Sequence, residues 1–159
     1  MFCYYDEILN NRDLFNNDRA RNIHNTDTHL YNCAGYALET FSWYCPNEED
    51  WEYWGYEENL SDAEMFAKTF ETVKFMLKDF KGHLRLIRSV DEVQENEYAI
   101  AYRISSDGAF HFMKKMANGW HHKRGGSAHI YIETEDYVLN KIWCDRYDGP
   151  IALMAMRRE

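Results

Sequence analysis

The sequence predicts an α+β protein in which N-terminal helices pack on a mainly antiparallel sheet. Two observations carry this. Helical periodicity is confined to the first half, strongest over residues 61–81, and from His83 onward the chain breaks into short alternating runs bounded by turn residues. At 159 residues, with 45% hydrophobic and 16% aromatic content, the chain has the length and apolar mass for one cored domain over 1–159.

Residues Tyr4 to Phe15 are expected to form a short helix. The turn-rich "HNTDTHLYN" then delivers the chain into a helix from about Asn32 to Tyr44, stopped before Pro46. "NEEDWEYWGYEEN" follows as an acidic, aromatic connection. The next helix opens on a capping box, Ser61 with Glu64, and ends near Lys81-Gly82. Its stripe of Phe66, Phe70, Val73, Leu77 and Phe80 is predicted to face the core. The runs "HLRLIRS", "EYAIAYRIS", "AFHFMKKM", "WHHKRG" and "AHIYIE" read as strands, "TEDYVLNKIW" as a helical or turn interruption, and "PIALMAMRR" as a last strand.

Composition narrows the function classes. Net charge is -9 and no Lys/Arg cluster is longer than that in "HHKR", which argues against direct nucleic-acid binding. No apolar run approaches the ~18 residues of a membrane span, and the N-terminus lacks the pattern of a secretory signal. A cytoplasmic location with free thiols at Cys3, Cys33, Cys45 and Cys144 is therefore expected. No cofactor is expected. His24 and His29, with Asp27 between them, sit in a loop without a further ligand, so no metal site is expected there.

Chemistry is concentrated in "YNCAGYALETF". Asn32 as cap and Cys33 in the first helical turn place a thiol where a helix N-terminus lowers its pKa. A thiol nucleophile needs a base, and His111 is the best candidate, near the start of a strand after "SSDGA" and sharing a face with Met113 and Lys115. A third group should orient the imidazole. A hairpin turning at Asn118-Gly119 sets Lys115 opposite His122 and puts His122 on the face of His111; a three-residue loop would select His121 instead. In the two-residue case a bulge or longer turn is still needed to bring the rings together.

"NCAGYAL" resembles the nucleophile stretch of NlpC-like cysteine peptidases of the papain superfamily, with Asn32 where that pattern usually has Asp. The resemblance implies a papain-like core with Cys33 as nucleophile, His111 as base and His122, eleven positions on, as third residue. It implies hydrolysis or acyl transfer at an amide or peptide bond through a thioacyl-enzyme, with a protein or peptide as substrate. "WYCP" with its acidic sequel and "RYDGPI" also resemble small proteins of gut Firmicutes and their phages, implying a mobile-element origin. The alternative is a non-catalytic acidic binding module or inhibitor, docking a basic protein through Trp51, Trp54 and Tyr56.

Overall fold

Apolar residues alternate along residues 97–104 and 110–116, and in the computed structural model each face of these strands meets its own packed layer. The structure describes residues 2–3 (backbone only), 31–40, 58–124 and 130–158. In chain order its elements are β1 (Phe2–Cys3), α1 (Cys33–Ala37), α2 (Asp62–Asp79), β2 (Leu84–Ile87), a 3-10 turn (Val90–Glu92), β3 (Glu97–Ile104), β4 (Phe110–Met116), β5 (Gly119–Lys123), β6 (Ile130–Glu133), α3 (Glu135–Asn140) and β7 (Ala152–Arg157). The strands form a seven-stranded sheet in the order β1-β6-β5-β4-β3-β7-β2, with antiparallel pairing throughout. The α+β class is thus observed. Among the described residues no helix is long and apolar enough to cross a membrane.

On one face, Tyr98, Ile100, Tyr102, Phe112, Met154 and Met156 pack against Cys33, Ala34, Ala37 and Leu38 of the α1 region and Val73 and Met76 of α2. On the other, Ala99, Ala101, Met113 and Trp120 meet Val138 and Trp143. Covering both faces explains why all but the first residue of β3 is buried, as expected of a central strand. Arg103 ties down the loop after α3 by donating to the carbonyls of Gly149 (2.8 Å) and Lys141 (2.6 Å).

Four details differ from the sequence reading. The helix expected over 32–44 ends at Ala37, because Glu39 turns into the left-handed region at φ 56°; residues 41–44 lie outside the described set. α2 has the expected capping box, but its buried face is Met65, Lys68, Thr69, Thr72, Val73 and Met76. Phe66 and Phe70 are 56% and 38% exposed and touch each other instead, at 4.7 Å between ring centroids. Burial of the threonines is possible because their hydroxyls donate back to the carbonyls of Met65 (2.8 Å) and Lys68 (3.0 Å). Only the later part of the predicted stripe, Val73, Leu77 and Phe80, packs on the core.

The third difference is the hairpin. Met116 pairs with Gly119, so the loop is Ala117-Asn118, one position earlier than Asn118-Gly119. Gly119 holds φ 135° at the start of β5, where a Cβ would lie 3.0 Å from the Glu133 carbonyl oxygen. The glycine thus serves the close approach of β6. Fourth, β1 pairs with β6 at the sheet edge, while the helix expected from Tyr4 to Phe15 lies outside the described residues.

Candidate active site

α1 is short, and side chains rather than its own length hold it to the sheet. The Asn32 side chain accepts from the Gly35 amide (3.2 Å) and caps the helix. Ala34, Gly35 and Ala37 are small and buried, which permits close approach to the strands. Tyr98 Oη donates to the Ala37 carbonyl (2.8 Å) and Lys123 Nζ to the Tyr31 carbonyl (2.6 Å). Lys114, fully buried, lies 3.5 Å from the Glu39 carboxylate and 4.1 Å from the centroid of the Tyr36 ring, and Arg158 reaches the same carboxylate at 2.8 Å.

These contacts set Cys33 at the edge of the helix-side core, 5% exposed. Burial pushes its thiol pKa up to about 11; the Phe112 and Ala34 amides and the Lys123 ammonium pull weakly the other way. This corrects the expectation of a thiol acidified by the helix N-terminus. A five-residue helix aligns few peptide dipoles, and desolvation of the thiolate outweighs them.

β4 starts after the turn 105–109, where Ser105 N–H donates to the Ala109 carbonyl at 2.7 Å and Gly108 adopts φ 86°. His111, its second residue, faces away from Phe112 and stacks on Tyr147 (5.1 Å, 18°). Phe112 lies in the helix-side layer. Cys33 and His111 therefore belong to opposite faces, and both line a cleft of about 330 Å³ at the strand end with Phe110, Arg124, Arg146 and Tyr147.

A chain of side chains leads inward from His111. Its Nε2 lies 2.8 Å from His122 Nδ1, and His122 Nε2 lies 3.1 Å from Glu133 Oε1. All three residues are buried. Register explains the meeting. Lys114 pairs with His121, so the ladder continued brings His122 opposite Met113, two residues from His111. Lys115, expected opposite His122, faces Trp120 instead. The earlier turn shortens the span between the two histidines along the hairpin, and their ring centroids lie 4.9 Å apart. His121 points to the other face, its Nε2 2.6 Å from Asn118 Oδ1. Of the two alternatives the structure brings His122 to His111.

Burial depresses the pKa of both histidines, that of His122 to about 3 and that of His111 well below its ordinary value. The His122–Glu133 contact is therefore a hydrogen bond of neutral imidazole rather than an ion pair at neutral pH. With Glu133 ionised, the proton positions follow by exclusion. The carboxylate can only accept, so His122 donates through Nε2 and accepts at Nδ1 from His111 Nε2–H. The Nδ1 lone pair of His111 remains available as a base.

Sequence reasoning missed Glu133. Its signal was the alternation of "IYIE": Tyr131 pairs with His122 and Glu133 with Trp120, all on one face. It also gave Cys144 no role. This residue lies in the turn closed by the Trp143–Tyr147 bridge, with φ 55°, and its N–H donates to Tyr137 Oη (2.8 Å). Ligand atoms of His111, His122 and Cys144 lie within 4.8 Å of one another, the one group among the described residues arranged to hold a metal. Cys33 and Cys144 carry free thiols. The stretches holding Cys45, His24, His29, Trp51, Trp54 and Tyr56 lie outside the described residues, as does the side chain of Cys3.

The fold and site together define an α+β protein with a thiol and an imidazole relay at the end of an antiparallel sheet. Compared with known proteins, the chain matches no family model, no curated protein and no solved structure.

Proposed function

We propose that the protein is a papain-like cysteine hydrolase or acyl-transferase acting on an amide or peptide bond of a protein or peptide. The observation that carries this reading is the relay His111–His122–Glu133 ending in a cleft that Cys33 also lines. Cys33 is the nucleophile, His111 the base, and His122 and Glu133 hold the base in the tautomer it needs.

Cys33 is a thiol and His111 a neutral imidazole at rest, so attack and proton transfer are coupled. The sulfur adds to the carbonyl carbon while its proton passes to His111 Nδ1, and the carbonyl π pair moves onto oxygen. The Cys33 and Ala34 amides lie by the sulfur and can donate to that oxyanion. Collapse breaks the carbon–nitrogen bond, and the leaving amine takes the proton back from His111. Water or another nucleophile then bonds to the thioester carbon as its proton passes to the same nitrogen; the carbon–sulfur bond breaks, and His111 returns that proton to the Cys33 sulfur.

Labelling with iodoacetamide at neutral pH, read by peptide mass, tests the assignment. Cys33 should react faster than Cys3, Cys45 and Cys144, and His111→Ala should slow it by about 10²-fold or more. Equal rates at all four thiols, unchanged by His111→Ala, would sink the reading. A basic protein retained equally by wild type and Cys33→Ala, with its mass unaltered, would favour the acidic binding module.

A further inference from the structure

We propose that His111, His122 and Cys144 form a zinc site that, when filled, holds the base of the relay in its inactive tautomer. The three donors come from separate parts of the fold, β4, β5 and the loop after α3, and their ligand atoms already lie within 4.8 Å of one another. Tetrahedral zinc, with bonds of about 2.0–2.1 Å to nitrogen and about 2.3 Å to sulfur, sets its ligand atoms about 3.3–3.7 Å apart. Two imidazoles and a thiolate select zinc over magnesium or calcium, which take oxygen donors. A three-residue set leaves the fourth position open to water.

The surroundings are built as a ligand's surroundings need to be. Both histidines are at most 2% exposed, so the rings are fixed by packing, His111 by Tyr147 and His122 by Tyr131. His122 already presents Nδ1 inward while Nε2 faces Glu133, the carboxylate–histidine arrangement that orients and strengthens zinc ligands. Cys144 is aimed by a left-handed backbone and by its N–H bond to Tyr137. The charges facing this thiol are Glu133 and Asp145, which favour a cation, and Arg124, which opposes one.

Binding has a defined proton balance. Cys144 loses its thiol proton to solvent and coordinates as thiolate. His122 gives its Nδ1 lone pair and keeps Nε2–H on Glu133. His111 gives its Nε2 lone pair, so its one ring proton moves to Nδ1, the nitrogen that would have accepted from Cys33. The regulatory half of the proposal rests on the hydrolase reading; the binding half stands without it.

Cobalt is the probe. Chelator-stripped protein given one equivalent of Co²⁺ should show thiolate-to-cobalt charge-transfer absorption, abolished by one equivalent of Zn²⁺. Cys33→Ala should bind as wild type does, whereas Cys144→Ser and His122→Ala should lose the band. Glu133→Gln should weaken Zn²⁺ binding by about 10–100-fold. Absence of the band in wild-type protein shown folded by circular dichroism, or its persistence in Cys144→Ser, overturns the site. Stoichiometric Zn²⁺ should also slow alkylation of Cys33, a chelator should restore it, and Cys144→Ser should be insensitive. Zinc that binds without slowing Cys33 overturns the regulatory half. A Cys33 that is no more reactive than the other thiols in the metal-free protein removes the hydrolase reading and leaves the metal site standing.

Discussion

At the scale of single residues, burial holds both the Cys33 thiol and the His111 imidazole neutral, and that has a measurable signature. A thiol held up to about 11 by burial contributes thiolate that grows about tenfold per pH unit below that value. The ultraviolet thiolate absorbance that wild type shows and Cys33→Ala lacks should therefore climb continuously from pH ~6 to ~10. A thiolate–imidazolium pair would instead plateau in mildly acidic solution, and a plateau there would refute the neutral pair. Glu133 is the second residue-scale test. Protonated or removed, it no longer requires His122 to donate through Nε2, and His111 can rest with its proton on Nδ1. With Cys33 and His111 acting as proposed, Glu133→Leu should lower acyl transfer by about 10²–10⁴-fold in protein shown folded by circular dichroism. A loss under fivefold would mean the carboxylate has no part in setting the tautomer.

At the scale of elements, α1 depends on the sheet more than on itself. Five residues cannot sustain an isolated helix, so its position is delegated to Lys114, Glu39, Arg158, Tyr98 and Lys123. Lys114 is fully buried and Glu39 nearly so. Removing one member of such a group leaves charge in a desolvated place. Glu39→Ala should thus cost about 3–5 kcal/mol in urea unfolding, well beyond a surface change. α2 offers the contrasting case. Met76→Ala removes a core side chain and should cost about 2–5 kcal/mol, whereas Phe66→Ser alters an exposed ring and should stay within about 0.5 kcal/mol. Equal costs at Met76 and Phe66 would contradict the observed helix face.

At the scale of the whole molecule, buried imidazoles make the fold sensitive to acid. The folded pKa of His122 is depressed from 6.5 to about 3, so below pH 6.5 the unfolded chain takes up a proton that the folded chain refuses. Stability from this residue is complete above 6.5 and is lost as pH falls toward 3, at about 1.4 kcal/mol per pH unit. His111 acts in the same direction, while Glu133, whose carboxyl pKa is raised by burial, partly opposes both at the acid end. Urea midpoints at pH 7, 6, 5 and 4 should fall steadily in wild type and less steeply in His122→Phe. A parallel decline in the two proteins would show that His122 is not buried neutral.

Much of this molecule is legible without coordinates, and the parts that are not share a cause. Alternation along residues 97–104, 110–116 and 130–133, the capping box at Ser61 and the cap at Asn32 are local patterns, and each appears as an element or cap where the sequence places it. Parity along β4 likewise separates His111 from Phe112, because side chains on a strand alternate whatever the strand pairs with. The face buried by α2 is not local: two stripes about 100° apart compete, and the sheet chooses the one whose threonines satisfy themselves. Nor is the pKa of Cys33, since a helix cap is written in three or four residues while burial comes from strands some eighty positions later. The meeting of His111 with His122 goes with a hairpin loop shifted by one residue, in which Gly119 at φ 135° lies close against β6. By itself the sequence determined the α+β class, α2, the strands from residue 84 onward and the residue types available for thiol chemistry. Only the tertiary structure decided which of them meet, and with what protons, because register and desolvation are properties of contacts between segments distant in the chain.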